Sequence, residues 1–167
     1  NMRVAAADVL YLSLEDKQRR VKDRAMRMME VIHPDLRESV KRRLTVATDW
    51  PRQDEGGLKM VELWCRQVKD PRLVIIDVYN RFSPRQQSSN SAYQQDSEHL
   101  GALKRFADNR SMAALGVHHT RKPGPGGGSA DFLNEISGTL GISGAADGIM
   151  VLTRNRQESQ ACLMVTG

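Results

Sequence analysis

The chain has 167 residues, long enough for a buried core, and its 40% apolar content fits a globular protein. Twenty-five Lys and Arg against 20 Asp and Glu give a net charge of +5. Ten of those cations fall between Lys17 and Arg43. No apolar run approaches the roughly 18 residues of a membrane span, and no secretory signal pattern opens the chain. These features exclude an integral membrane protein and a disulfide framework, and they lead to the expectation of a cytoplasmic protein. The two cysteines, Cys65 and Cys162, are far apart and read as reduced core thiols. The basic balance is compatible with nucleic acid, although solvated helix faces account for it as well.

In chain order, Val9 to Leu14 is a short apolar run that reads as a buried strand ending in Glu15 and Asp16. Asp16 is placed to cap a helix from Lys17 to about Val31, with Val21, Ala25, Met28, Met29 and Ile32 at helical spacing and Pro34 as its stop. Residues 44–48 form a second strand. A helix from Leu58 to Val68 follows, with apolar residues at Leu58, Val61, Leu63, Trp64 and Val68. Leu73 to Ile76 runs straight into Asp77 as a fully buried strand. Residues 83–97 are rich in Ser, Gln and Asn and lead into a helix carrying His99, Leu100, Leu103, Phe106 and Ala107. Met112 to Val117 is a fourth strand closed by His118 and His119. Ile149–Leu152 and Ala161–Val165 form a terminal hairpin around residues 155–157.

Apolar strands alternating with helices predict a mostly parallel sheet covered on both faces, whose ligands bind beyond the carboxyl ends of the strands. Glu15, Asp77, His118, His119 and Arg154 all fall at such ends. Asp77, after four aliphatic residues, is suited to hold Mg²⁺ directly or through water; capping the next turn is the plainer alternative. Glu15 is suited to orient an attacking water, or else it is an acid favoured by a helix dipole. A neutral His118 or His119 can bond a terminal phosphate, and Arg154 can spread transition-state charge as an arginine finger. Each has an ordinary surface role as its competitor. A zinc site fits poorly, since no second His or Cys pair lies at ligand spacing.

The segment "KPGPGGGSAD" is glycine-rich, yet no Gly-Lys-Ser/Thr follows and two prolines remove backbone donors. It does not read as a phosphate-binding loop. A DNA-contacting loop is the better reading, with Arg121 and Lys122 as its basic candidates.

Together, "VLYLSLEDKQRRVKDR", "LVIIDVYNRF", "GVHHTRK" and "DFLNEISGTLGISGAADGIMVLTRN" resemble, in order, the motifs of plasmid RepA-type ATPases. These group with the DnaB-type hexameric replicative helicases among AAA-type, RecA-like domains. The resemblance runs from about Val9 to the end. It implies a RecA-like α/β fold and an ATP- and Mg²⁺-dependent DNA helicase assembled as a ring on single-stranded DNA. It also implies roles: Glu15 as catalytic glutamate, Asp77 as the Walker B aspartate, His118 or His119 as phosphate sensor, and Arg154 as the trans-acting arginine finger. Residues 121–141 match the channel-facing DNA loop.

The family places a P-loop before the strand at Val9, and none occurs here. The expectation is therefore one partial RecA-like domain over residues 1–167: a catalytic-glutamate strand at 9–16, a Walker B strand at 73–77, a sensor strand at 112–119 and a hairpin at 149–167. The sheet would lack its P-loop strand, the chain would bind Mg-ATP very weakly, and exposed apolar edges would drive dimerisation or swapping. A non-catalytic RecA-fold module that binds protein or DNA, and a DNA-binding ATPase without unwinding activity, are the alternatives.

Overall fold

The computed structural model describes residues 5–85, 92–119, 144–154 and 159–167. Its strands are β1 (Asp8–Ser13), β2 (Leu44–Ala47), β3 (Pro71–Asp77), β4 (Ala113–Val117), β5 (Ile149–Thr153) and β6 (Cys162–Thr166). Its helices are α1 (Gln18–Val31), α2 (Pro34–Arg43), α3 (Gly57–Gln67), α4 (Tyr79–Phe82) and α5 (Ala92–Asp108). β1 to β4 form one parallel sheet in the order β2-β1-β3-β4, while β5 and β6 pair antiparallel as a separate two-stranded sheet. The result is an α/β architecture with a terminal hairpin.

The chain divides into two compact units. One contains residues 1–84 and 105–117, with the parallel sheet; the other contains residues 85–104 and 118–167, with the hairpin. In the second unit Lys104 pairs with Asp147, just ahead of β5, and Val151 is buried at 3% exposure. Met150, Leu152, Leu163 and Val165 of the hairpin remain exposed.

In the first unit the register fixes which residues share a face. Leu10 and Leu12 stand beside Val74 and Ile76, and all four are fully buried. Above them lie Val61 and Trp64 of α3, whose indole Nε1–H donates to Thr45 Oγ1 at 3.0 Å. Tyr79 of α4 packs 3.5 Å from the ideal Cβ position of Gly116 on the same side. Phe82 closes this core with no exposed surface, and its ring lies where a side chain on Gly57 would be, 2.7 Å from an ideal Cβ.

The opposite face is less complete. It carries Leu44 and Val46 of β2, Val9 and Tyr11 of β1, Leu73 and Ile75 of β3, and Leu115 and Val117 of β4. Right-handed crossovers put α1 and α2 on this side, because the connection from β1 to β2 runs opposite to that from β2 to β3. Yet Leu44, Val46, Leu115 and Val117 stay 36–40% exposed. The sheet is thus not covered on both faces as its apolar strands predict, and β3 alternates between buried and half-buried positions rather than being fully buried. β2 and β4 are its outer strands.

Several local expectations change. Pro34 does end α1, but it also starts α2 as its first residue, where its missing N–H would have no partner anyway. Lys17, not Asp16, is the N-cap of α1, and it makes no side-chain capping bond. Asp16 instead gives one carboxylate oxygen to Arg20 and the other to Arg24, at 2.9 and 3.0 Å. Met28 and Leu63 are 60% and 55% exposed, outside the apolar faces expected of them.

Cys162 is exposed rather than in the core, whereas burial pushes the Cys65 thiol above its usual value. Since the thiolate is the reactive form, a thiol reagent at neutral pH will modify Cys162 well before Cys65. Mass spectrometry of partly labelled protein checks this; equal labelling of both would contradict it.

Candidate functional site

β1 and β3 run side by side and end at the same edge, with Ser13 opposite Asp77. The ladder extends one step further, since Leu14 N–H donates to the Asp77 carbonyl. Glu15 and Asp16 therefore leave the sheet immediately beside the end of β3. Glu15 is half-buried or more open at this edge than the strand before it, and Asp77 is half-buried. The Asp77–Val78 peptide is cis.

Tyr11, two residues before Ser13, lies on the same sheet face as Asp77 and donates its hydroxyl to Asp77 Oδ2 at 2.8 Å. Burial pushes the Tyr11 phenol above its usual value, and the bond to Asp77 adds to the shift, while the Arg24 charge opposes it. One carboxylate oxygen is thereby oriented by the protein, which leaves Oδ1 as the atom to meet a ligand. Sequence reading missed Tyr11 because it sits within an apolar run. The signal was there in its parity, which matches Ser13 and, through the register, Asp77.

Tyr11→Phe tests this bond. It removes one partly exposed hydrogen bond to a charged group, so the thermal midpoint should move only a few degrees, a change of about 1–2 kcal/mol. The phenol holds its proton more tightly folded than unfolded. The bond's contribution is therefore intact below pH of about 10, the ordinary tyrosine value, and fades as pH rises through the higher folded value. Denaturant titrations of both proteins at neutral and alkaline pH should converge; a difference that grows with pH would contradict the assignment.

The remaining predicted residues are placed as follows. Val117, the last residue of β4, pairs with Asp77, and the chain continues into His118 and His119. His118 Nδ1 lies 3.2 Å from the His119 carbonyl oxygen. Arg154 follows β5, which belongs to the two-stranded sheet, so the parallel sheet does not present it. The convergence expected from four strand ends is therefore carried by β1, β3 and β4. Arg121, Lys122 and the glycine-rich segment lie outside the described residues.

Among the described residues, no group of three or more His, Cys, Asp and Glu is arranged to hold a metal ion. The donor set at this edge is instead a single oriented carboxylate. That suits Mg²⁺, which keeps several waters and is usually bound through one or two carboxylates together with substrate phosphates. It does not suit an all-protein metal cage.

A parallel sheet in this strand order, with carboxylates at the ends of two adjacent strands, defines a RecA-like fold. The AAA domain family matches residues 1–125, and the chain belongs to that family. Among solved structures it is similar to the ATPase domain of a DnaB-type helicase, with a TM-score of 0.65 and 14% identity, over 95% of this chain and 66% of that one. The chain thus spans just under two thirds of that structure's length. A search of curated proteins found no match. No helix among the described residues is long and apolar enough to cross a membrane.

Proposed function

We propose that this chain is the ATP-hydrolysing RecA-like core of a replicative DNA helicase of the RepA type, working with a phosphate-binding loop supplied from outside these 167 residues. The observation that carries the reading is the pair of adjacent strand ends that bring Glu15 and Asp77 to one edge. Asp77, oriented by Tyr11, holds the Mg²⁺ of Mg-ATP with Oδ1 or through a water bound to it. Glu15, at the same edge, orients the attacking water and receives its proton. Bound Mg²⁺ supplies charge neutralisation for the phosphates. His118 or His119 bonds the terminal phosphate and reports its departure, and Arg154 acts on the nucleotide of a neighbouring subunit. Arg121 and Lys122 contact single-stranded DNA in a ring of such subunits.

The unfinished sheet supports the same reading. A parallel strand added beside β4, followed by a right-handed crossover into β1, would lay its helix over the half-open face that exposes Leu115 and Val117. Such a strand–loop–helix is also the unit that cradles phosphate. Without that cover, we expect the isolated chain to associate with itself through this edge.

Calorimetry and strand displacement test the proposal together. The 167-residue chain should show no micromolar affinity for Mg-ATP. A longer polypeptide that adds a phosphate-binding loop should bind it, hydrolyse it with stimulation by single-stranded DNA, and unwind a forked duplex. Hydrolysis without unwinding would replace the helicase reading with a DNA-dependent ATPase. DNA or protein binding without hydrolysis would leave a non-catalytic RecA-fold module.

A further inference from the structure

The α1 helix has two distinct working faces. Val21 is buried, and Ala25 and Met29 are half-buried, forming the face toward the domain. Arg20, Arg24, Arg27, Met28 and Val31 line a separate open groove of about 520 Å³. Arg20, Arg24, Arg27 and Val31 follow the i, i+4, i+7, i+11 spacing that aligns side chains in one column along a helix. Met28 borders that column. At this solvent-facing position Met28 is 60% exposed and Val31 86% exposed.

Charge is unevenly used along the column. Asp16 takes Arg20 on one oxygen and Arg24 on the other. Arg27, the next cation down, has no ion pair among the described residues. The lower half of the column therefore offers one unshared guanidinium flanked by two uncovered apolar side chains. A nucleic-acid backbone would use the cation but gain little from Met28 and Val31. A second copy is a poor complement, because the chain carries +5. Its exposed apolar helix positions on α3, Met60 and Leu63, stand among Lys59 and Arg66.

We propose that this column is a docking seam for an acidic amphipathic helix of another protein, which places a carboxylate against Arg27 and apolar side chains against Met28 and Val31. Helix-in-groove recognition uses this anchor spacing, and a bidentate guanidinium–carboxylate contact fixes the register. The proposal does not depend on nucleotide hydrolysis. It stands on the exposure, spacing and unshared charge of one helix face.

The test uses the 167-residue chain and the variants Arg27→Glu and Val31→Asp, at two exposed positions whose change leaves the core intact; circular dichroism confirms that. Fluorescence anisotropy follows four probes: a labelled helical peptide of Leu-Glu heptads, the same peptide with Lys for Glu, an oligo-dT strand, and phosphatidylglycerol vesicles. The acidic peptide should bind and the Lys peptide should not, with each variant weakening binding about tenfold or more. The loss in Arg27→Glu should shrink as salt rises, whereas that in Val31→Asp should persist. Failure of the acidic peptide to bind overturns the proposal. So does oligo-dT binding that falls in Arg27→Glu and not in Val31→Asp, which marks a nucleic-acid surface. Vesicle binding lost in both variants without peptide binding marks a membrane surface and overturns it too.

Discussion

Asp77→Asn should lower ATP hydrolysis by about 10²–10³-fold while leaving the fold in place, on the scale of removing one preorganised electrostatic group. The substitution is nearly isosteric. Its amide oxygen still accepts the Tyr11 hydroxyl, which now meets Asp77 Oδ2 at 2.8 Å. What is lost is the negative charge at the end of β3, and with it the means to hold a divalent cation against the phosphates. Steady-state hydrolysis across a Mg²⁺ series, in a polypeptide with a phosphate-binding loop, is the measurement. Glu15→Gln serves as the comparator, since it should reduce turnover while leaving nucleotide affinity close to that of the parent. If Asp77→Asn retained hydrolysis within about threefold of the parent, the proposed role of this strand end would be wrong.

Phe82→Ala should destabilise the domain by about 3–5 kcal/mol, a large part of the roughly 5–15 kcal/mol that holds a domain of this kind together. Phe82 is fully buried on the α3 and α4 side of the sheet. Its ring fills the space over Gly57, whose ideal Cβ would also sit 2.5 Å from the Pro51 carbonyl oxygen and 2.8 Å from that of Arg52. Backbone blocks two sides of the site, so the cavity cannot collapse easily. Nor can Gly57→Ala fill it, because the added methyl would meet carbonyl groups. The flanking chain is tied down as well: the Arg52 guanidinium donates to the carbonyl oxygens of Asn80 and Ser83, and the Trp50 indole to that of Gly57. Urea denaturation of the single and double variants is the check. A loss under about 1 kcal/mol for Phe82→Ala, or recovery in Phe82→Ala/Gly57→Ala, would refute this account.

Much of the architecture was legible because it depends on local periodicity. The runs 9–12 and 73–76 are dense in aliphatic residues, and they pair side by side as parallel strands. The hairpin of β5 and β6 was readable from two apolar runs close in sequence. Periodicity says which side of a helix is apolar, but not whether a neighbour stands there. That is why Met28 and Leu63 were expected to be inside and are exposed. Proline chemistry misled in another way. Pro34 is as good a helix start as a helix stop, so α2 was hidden behind the end of α1. At Asp16 the competition was between capping and ion pairing, and two nearby guanidinium groups won.

By itself, the sequence determined the order of the elements and the placing of Glu15, Asp77, His118 and His119 at strand ends, because an apolar run followed by a polar residue is a local pattern. Tertiary structure decided what lies beside what. It set the order β2-β1-β3-β4, left one sheet face half-open, and put Arg154 at the end of a strand in a different sheet. It also joined Tyr11 to Asp77 across 66 positions of chain. These depend on hydrogen-bond register between distant segments, and no local pattern encodes a strand's neighbour.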